Sequence, residues 1–200
     1  MNKNNQFSEL RSELDQAITY GAKKTARQLA RFALAQALEK KLPGEIEYFK
    51  GQVEILKGNF ALAIDHFDAA ISHNPKDGAA YNDRALCMVE MGIIDGALVY
   101  FNKGIAMEPD YATIYHNKGW LLNNIGRHTE AIKCFQKALE LEPDRPVTYD
   151  NLADARFNLS DFCGALEAYR KVLELLKPGS CLGIRKEIKK QIKVLEQKTG

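Results

Sequence analysis

Residues 112–145 read ATIYHNKGWLLNNIGRHTEAIKCFQKALELEPDR. Two apolar-periodic runs, each about 14 residues long, flank Gly126, and Pro143 closes the second run. The spacing predicts two antiparallel helices, with the glycine making the tight reversal and the proline stopping the second helix.

The same columns recur along the chain. Proline returns at Pro75, Pro109 and Pro143, and alanine at Ala63, Ala97, Ala131 and Ala165, always 34 residues on. Four residues after each alanine stands an aromatic: Phe67, Phe101, Phe135, Tyr169. Gly58, Gly92 and Gly126 mark the reversals, with Ser160 in the fourth slot. Gly51, Ala85, Gly119 and Ala153 form a small-residue column in the first helices. Small residues on both helices let the axes approach, and the aromatic fills the space beside the contact. Asp77, Asp110 and Asp144, near helix starts, suit capping or the positive end of the helix dipole.

This pattern resembles the tetratricopeptide repeat (TPR). Residues 112–145 match its motif at Tyr115, Gly119, Leu122, Gly126, Ala131, Phe135, Ala138 and Pro143. The resemblance implies an all-α, right-handed α-solenoid of helix-turn-helix repeats. Clear units are expected at 44–77, 78–111, 112–145 and 146–178, the last gaining one residue before Pro178. Residues 1–43 read as a degenerate N-terminal unit: Phe7, Leu10, Leu14 and Ile18, then Ala30, Leu34 and Ala37, with the first helix lacking the Gly-type small residue. Residues 179–200 read as a C-terminal capping helix. Its apolar face is Ile184, Ile188, Ile192 and Leu195, and its wet face is Arg185, Lys186, Lys189, Lys190 and Lys193.

The only tryptophan, Trp120, stands among amides. At 100° per residue, Thr113, His116, Asn117, Trp120, Asn123 and Asn124 share an arc of about 120° opposite the apolar side. In the family, first helices line a concave groove, so the resemblance places these residues there. Matching slots hold Tyr48, Gln52, Asn82, Asp83, Leu86, Asp150, Asn151, Asp154, Phe157 and Asn158. An asparagine offers a donor and an acceptor to a peptide backbone, and an aromatic offers an anchor. Asn117 and Asn151 resemble two rungs of the asparagine ladder with which some repeats of this family hold peptide. Asp83, Asp150 and Asp154 favour a partner carrying Lys or Arg.

Other function classes find little support. The formal net charge of +2 selects no partner. Residues 1–43 and 178–200 each carry +4 and residues 44–110 carry −6, with no dense basic run of the nucleic-acid type. No window approaches a membrane span, and the N-terminus has no signal-peptide core. Cys87, Cys134, Cys163 and Cys181 are far apart without CxxC spacing, which suits reduced thiols in a cytoplasmic protein. His66, His73, His116 and His128 show no ligand spacing, and phosphate-loop, zinc-protease and nucleophile-elbow motifs are missing, so no cofactor, metal or enzymatic activity is expected. The carboxylate clamp with which family members hold Hsp70 and Hsp90 tails needs cations. Its slots here hold Tyr48, Gln52, Asp83, Thr113 and Asn117 or, one unit on, Asn82, Leu86, Asn117, Val147 and Asn151, which disfavours chaperone tails. The expectation is a non-enzymatic scaffold that binds a protein or peptide segment in its groove. A self-assembling homo-oligomer, or the targeting part of a longer enzyme chain, is the alternative.

Overall fold

The computed structural model describes residues 3–19, 21–176 and 181–199. The expected boundary at Pro178 lies outside them. Eleven helices and no strand occur among the described residues. They fall into two compact units, Met1–Pro109 and Asp110–Gly200.

Unit 1 contains α1 (Lys3–Thr19), α2 (Lys23–Glu39), α3 (Pro43–Ile55), α4 (Phe60–His73), α5 (Gly78–Glu90) and α6 (Ile94–Met107). Unit 2 contains α7 (Ala112–Asn124), α8 (His128–Leu141), α9 (Pro146–Asn158), α10 (Phe162–Leu175) and α11 (Leu182–Thr199). Within each unit successive helices pack as antiparallel hairpins.

The repeat columns explain the hairpins. Gly58, Gly92 and Gly126 adopt φ of +84°, +76° and +80°, a left-handed conformation that costs glycine nothing; Ser160 takes the same role at +61°. Phe67, Phe101 and Phe135 are fully buried, each worth about 1.5–3 kcal/mol of transfer free energy. The Phe67 ring lies so close to Gly51 that an added Cβ would sit 2.7 Å from its Cε1; at Gly119 the distance to Phe135 Cε1 would be 2.8 Å. Pro75, Pro109 and Pro143 fall just past the ends of α4, α6 and α8.

Three local expectations change. Asp77 is the N-cap of α5 and accepts from Ala80 N, but α7 and α9 begin after Tyr111 and Arg145, one residue beyond Asp110 and Asp144, and show no side-chain cap. Asp161 instead caps α10 through Gly164 N. The small-residue column does extend into α1: Ala17, 34 residues before Gly51, is buried and takes the place of a glycine.

In α11, Ile188 and Leu195 are buried while Ile184 stays 45% exposed. Arg185 is not part of a wet stripe. Its Nη1 donates to the carbonyls of Leu173 and Leu176, at 3.2 and 2.9 Å, satisfying orphan acceptors at the end of α10.

Candidate functional site

The residues singled out in the sequence fall on two faces, one in each unit. In unit 1 the face is built by α3 and α5. Tyr48, Gln52 and Asn82 are buried there, with Asp83 and Leu86 less so. All three donate to the Asp83 carboxylate: Tyr48 Oη at 2.7 Å, Gln52 Nε2 at 2.5 Å and Asn82 Nδ2 at 2.8 Å.

Helix α1 covers this face. Phe7 packs on Phe49 with centroids 6.0 Å apart. Arg11 reaches past α3 to the cap of α5, where Nη1 and Nη2 donate to both Asp77 oxygens at 2.8 and 2.9 Å. Nη2 also donates to Glu45 at 3.0 Å, and the guanidinium lies 3.7 Å from the centroid of the Tyr48 ring. A planar cation held by two carboxylates and one aromatic face is a strong arrangement for arginine. Burial alone would lower the Arg11 pKa, yet Asp77, Tyr48 and Glu45 raise it instead. Enclosure pushes the Asp83 carboxyl up to about 7; the Tyr48 hydrogen bond opposes this and the nearby Asp15 charge adds to it.

In unit 2 the face is built by α7 and α9. His116 is buried, and its Nδ1 lies 2.9 Å from Thr148 Oγ1. Asn151 Nδ2 donates toward His116 Nε2 at 3.5 Å, an arrangement that assigns the ring proton to Nδ1. Burial and the Arg145 charge hold the His116 pKa down at about 3, so the ring is neutral at physiological pH. Arg145 Nη1 donates to Thr113 at 2.8 Å. At the other end of the face, Asn158 Nδ2 donates to Asn123 Oδ1 at 3.4 Å, and His128 Nδ1 donates to the same oxygen at 2.6 Å.

Above this floor, Trp120 is 36% exposed. Asn124, Asp154 and Asn158 are exposed, and Asn117, Asn123, Asp150 and Asn151 are half-buried. Burial and the Asp154 charge raise the Asp150 carboxyl to about 6. Tyr169 donates its hydroxyl to Asp154. Phe157 is less open than its slot suggested: its ring packs on Phe162 at 5.6 Å, and Lys198 of α11 lies 5.2 Å from its centroid.

Arg11 and Arg145 were not singled out in the sequence. Arg11 sits within the apolar series Phe7, Leu10, Leu14, where a charge on a buried stripe was the available signal. Lys50, Arg84 and Lys118 stand 34 residues apart in one slot of α3, α5 and α7. Arg84 is pinned to Asp68 at 2.6 Å and stacked 3.6 Å from the Tyr100 centroid, so it belongs to the packing of α4, α5 and α6.

Chemically, both faces are built from amides, carboxylates and rings. Among the described residues, no group of three or more His, Cys, Asp or Glu is placed to hold a metal, and no helix is long and apolar enough to cross a membrane. The hairpins define an all-α helical-repeat protein.

Family models of the tetratricopeptide repeat match residues 48–104 and 112–145. Among solved structures, a thermophilic TPR protein of Thermus thermophilus aligns with a TM-score of 0.72 and 19% identity, over 92% of this chain and 98% of that one. MamA of Desulfovibrio magneticus RS-1 aligns at 0.59 and 21%, over 84% and 93%. YrrB, a TPR protein with an unusual peptide-binding site, aligns at 0.59 and 19%, over 87% and 88%. At such identities the likeness shows the fold. No protein of curated function matches the sequence. The chain is a tetratricopeptide repeat protein. Proteins of this family are generally non-catalytic repeat scaffolds that bind protein partners.

Proposed function

We propose that this protein is a non-enzymatic adaptor whose α7–α9 face holds an extended, basic segment of a partner protein. The observation that carries the reading is Trp120, a large ring left 36% exposed on a face otherwise made of amides and carboxylates. Asn117 and Asn151, one repeat apart, offer paired donors and acceptors to a backbone. Trp120 takes an apolar side chain, and Asp154 with Asp150 takes a Lys or Arg. A cation there relieves the repulsion that raises the Asp150 carboxyl. The floor is cross-linked by His116, Thr148, Asn123 and Asn158, so binding requires little reordering.

The test is affinity capture from the source organism's lysate with the wild type and a Trp120→Ala/Asn117→Ala/Asn151→Ala variant of unchanged helicity and melting. A partner held by the wild type and lost by the variant, with affinity falling as salt rises, supports the reading. A partner retained by both moves the site off this face.

A further inference from the structure

The α3–α5 face of unit 1 carries a different site. We propose that it is an arginine-recognition site for a helical segment of a partner protein, and that α1 is its built-in occupant. The site is the cleft in which Asp77, Glu45 and the Tyr48 ring surround one guanidinium, with Phe49 as the apolar seat beside it.

Three observations separate α1 from an ordinary repeat helix. First, Arg11 contacts not only the neighbouring α3 but also the cap of α5, one hairpin further on. Repeat units contact their nearest neighbours, so a bond that skips one is a ligand-like contact. Second, α1 packs closely along its backbone against α2 alone, whereas α3 and α5 each pack against two helices, and α1 reaches α3 and α5 through side chains. Third, the fit is incomplete: Arg11 Nε is buried without an acceptor. A helix with better-placed polar groups around its arginine would compete with α1.

The occupant follows from the chemistry. The site takes a planar cation and favours arginine over lysine, because both Asp77 oxygens are engaged and the ring is stacked. An apolar residue one turn before the arginine meets Phe49, as Phe7 does. The partner segment is therefore an amphipathic helix with an arginine at the edge of its apolar stripe. This site stands apart from the α7–α9 reading and survives if that reading fails.

The probe is a labelled peptide with the sequence of residues 3–19, in wild-type and Arg11→Gln forms. The host is the full chain carrying Arg11→Ala and Leu14→Ala, which loosens its own α1. The expected result is that the host binds the wild-type peptide at least tenfold more tightly than the unmodified chain does, because a tethered α1 competes at roughly millimolar effective concentration. The Arg11→Gln peptide binds at least tenfold more weakly, and Asp77→Asn in the host removes that difference. Equal binding of both peptides, or no binding by a host that keeps its helices beyond α1, overturns the proposal. If the host loses more than α1, hydrogen exchange of the wild type decides. Exchange of α1 amides well before those of α3–α6 supports displacement, and simultaneous exchange overturns it. A concentration-dependent wild-type dimer that Asp77→Asn abolishes reassigns the occupant to a second copy of this chain, against a partner protein.

Discussion

In unit 1 the face of α3 and α5 lies under α1; in unit 2 the face of α7 and α9 carries an exposed tryptophan. The two faces are built from the same slots, two 34-residue periods apart. Tyr48 answers to His116, Phe49 to Asn117, Gln52 to Trp120, Asp83 to Asn151 and Asp77 to Arg145. The Tyr48–Asp83 bond of 2.7 Å becomes an Asn151–His116 contact of 3.5 Å. Where unit 1 needs Arg11 from α1 to neutralise Asp77 and Glu45, unit 2 supplies Arg145 from the repeat itself, bonded to Thr113. Where Phe49 seats Phe7, Asn117 offers no apolar seat. A handful of side chains on one backbone decide whether the face attracts a helix of its own chain.

The largest break in this comparison is Arg11→Ala. It leaves Asp77 enclosed without its partner, and breaking such a pair costs about 3–5 kcal/mol. Urea unfolding followed by far-ultraviolet circular dichroism should show this loss. Trp120 fluorescence, which reports unit 2, should shift its midpoint less. An equal shift by both probes would mean the two units unfold as one body.

Next come the close helix contacts, which the units share. Gly51→Ala and Gly119→Ala each force a Cβ against a ring, an overpacking cost of about 1–3 kcal/mol. Gly119 should lose more, because its added Cβ also meets the Ala131 backbone carbonyl oxygen at 3.2 Å, whereas the three atoms nearest a Gly51 Cβ all belong to the Phe67 side chain. Thermal melting ranks the two.

The pH dependence of the faces runs in opposite directions. Asp83 has a folded pKa of about 7, above its unfolded value, so the folded state holds the proton more tightly. Its contribution is full at low pH and is lost as pH rises from about 4 to 7. His116 has a folded pKa of about 3, below its unfolded value, so its contribution is full above about pH 6.5 and is lost as pH falls toward 3. Asp83→Asn should flatten the first limb and raise stability at pH 8 relative to the wild type. His116→Asn, which copies the residue at Asn82, should flatten the second. Urea midpoints between pH 3 and 8 read both; a slope unchanged by either variant removes that residue from the account.

The hairpins were legible in the sequence because proline, glycine, alanine and aromatic columns are set by helix geometry, which repeats. The apolar stripe of α1 was legible for the same reason. What α1 rests on was not, since Arg11 meets Asp77 across 66 residues and no period links them. The inner-slot residues were placed on the right helices, but slot position does not fix exposure. Gln52 and Trp120 share a slot, and one is 4% exposed while the other is 36% exposed. Gln52 is tied to Tyr48 and Asp83, and the matching slots around Trp120 hold His116 and Asn151 instead. Asp110 and Asp144 failed as caps for a simpler reason: α5, α7 and α9 each start three residues past their proline, and the slot that Asp77 fills before α5 holds Tyr111 and Arg145 before α7 and α9.

The smallest expected effect on stability falls at the residue on which the proposed function leans most. Trp120→Ala removes a ring that is partly in water, so the melting midpoint should move by the equivalent of about 0.5 kcal/mol or less. Gln52→Ala, in the same slot, removes a donor to both Asp83 and Tyr48, and should cost about 1 kcal/mol or more. A large ring that contributes little to folding remains available as a binding anchor, the role proposed for Trp120. If Trp120→Ala instead destabilises as much as Gln52→Ala, the ring is a packing element of unit 2. The open face would then lose its anchor, and the contrast between the two faces would reduce to the presence of α1 on one of them.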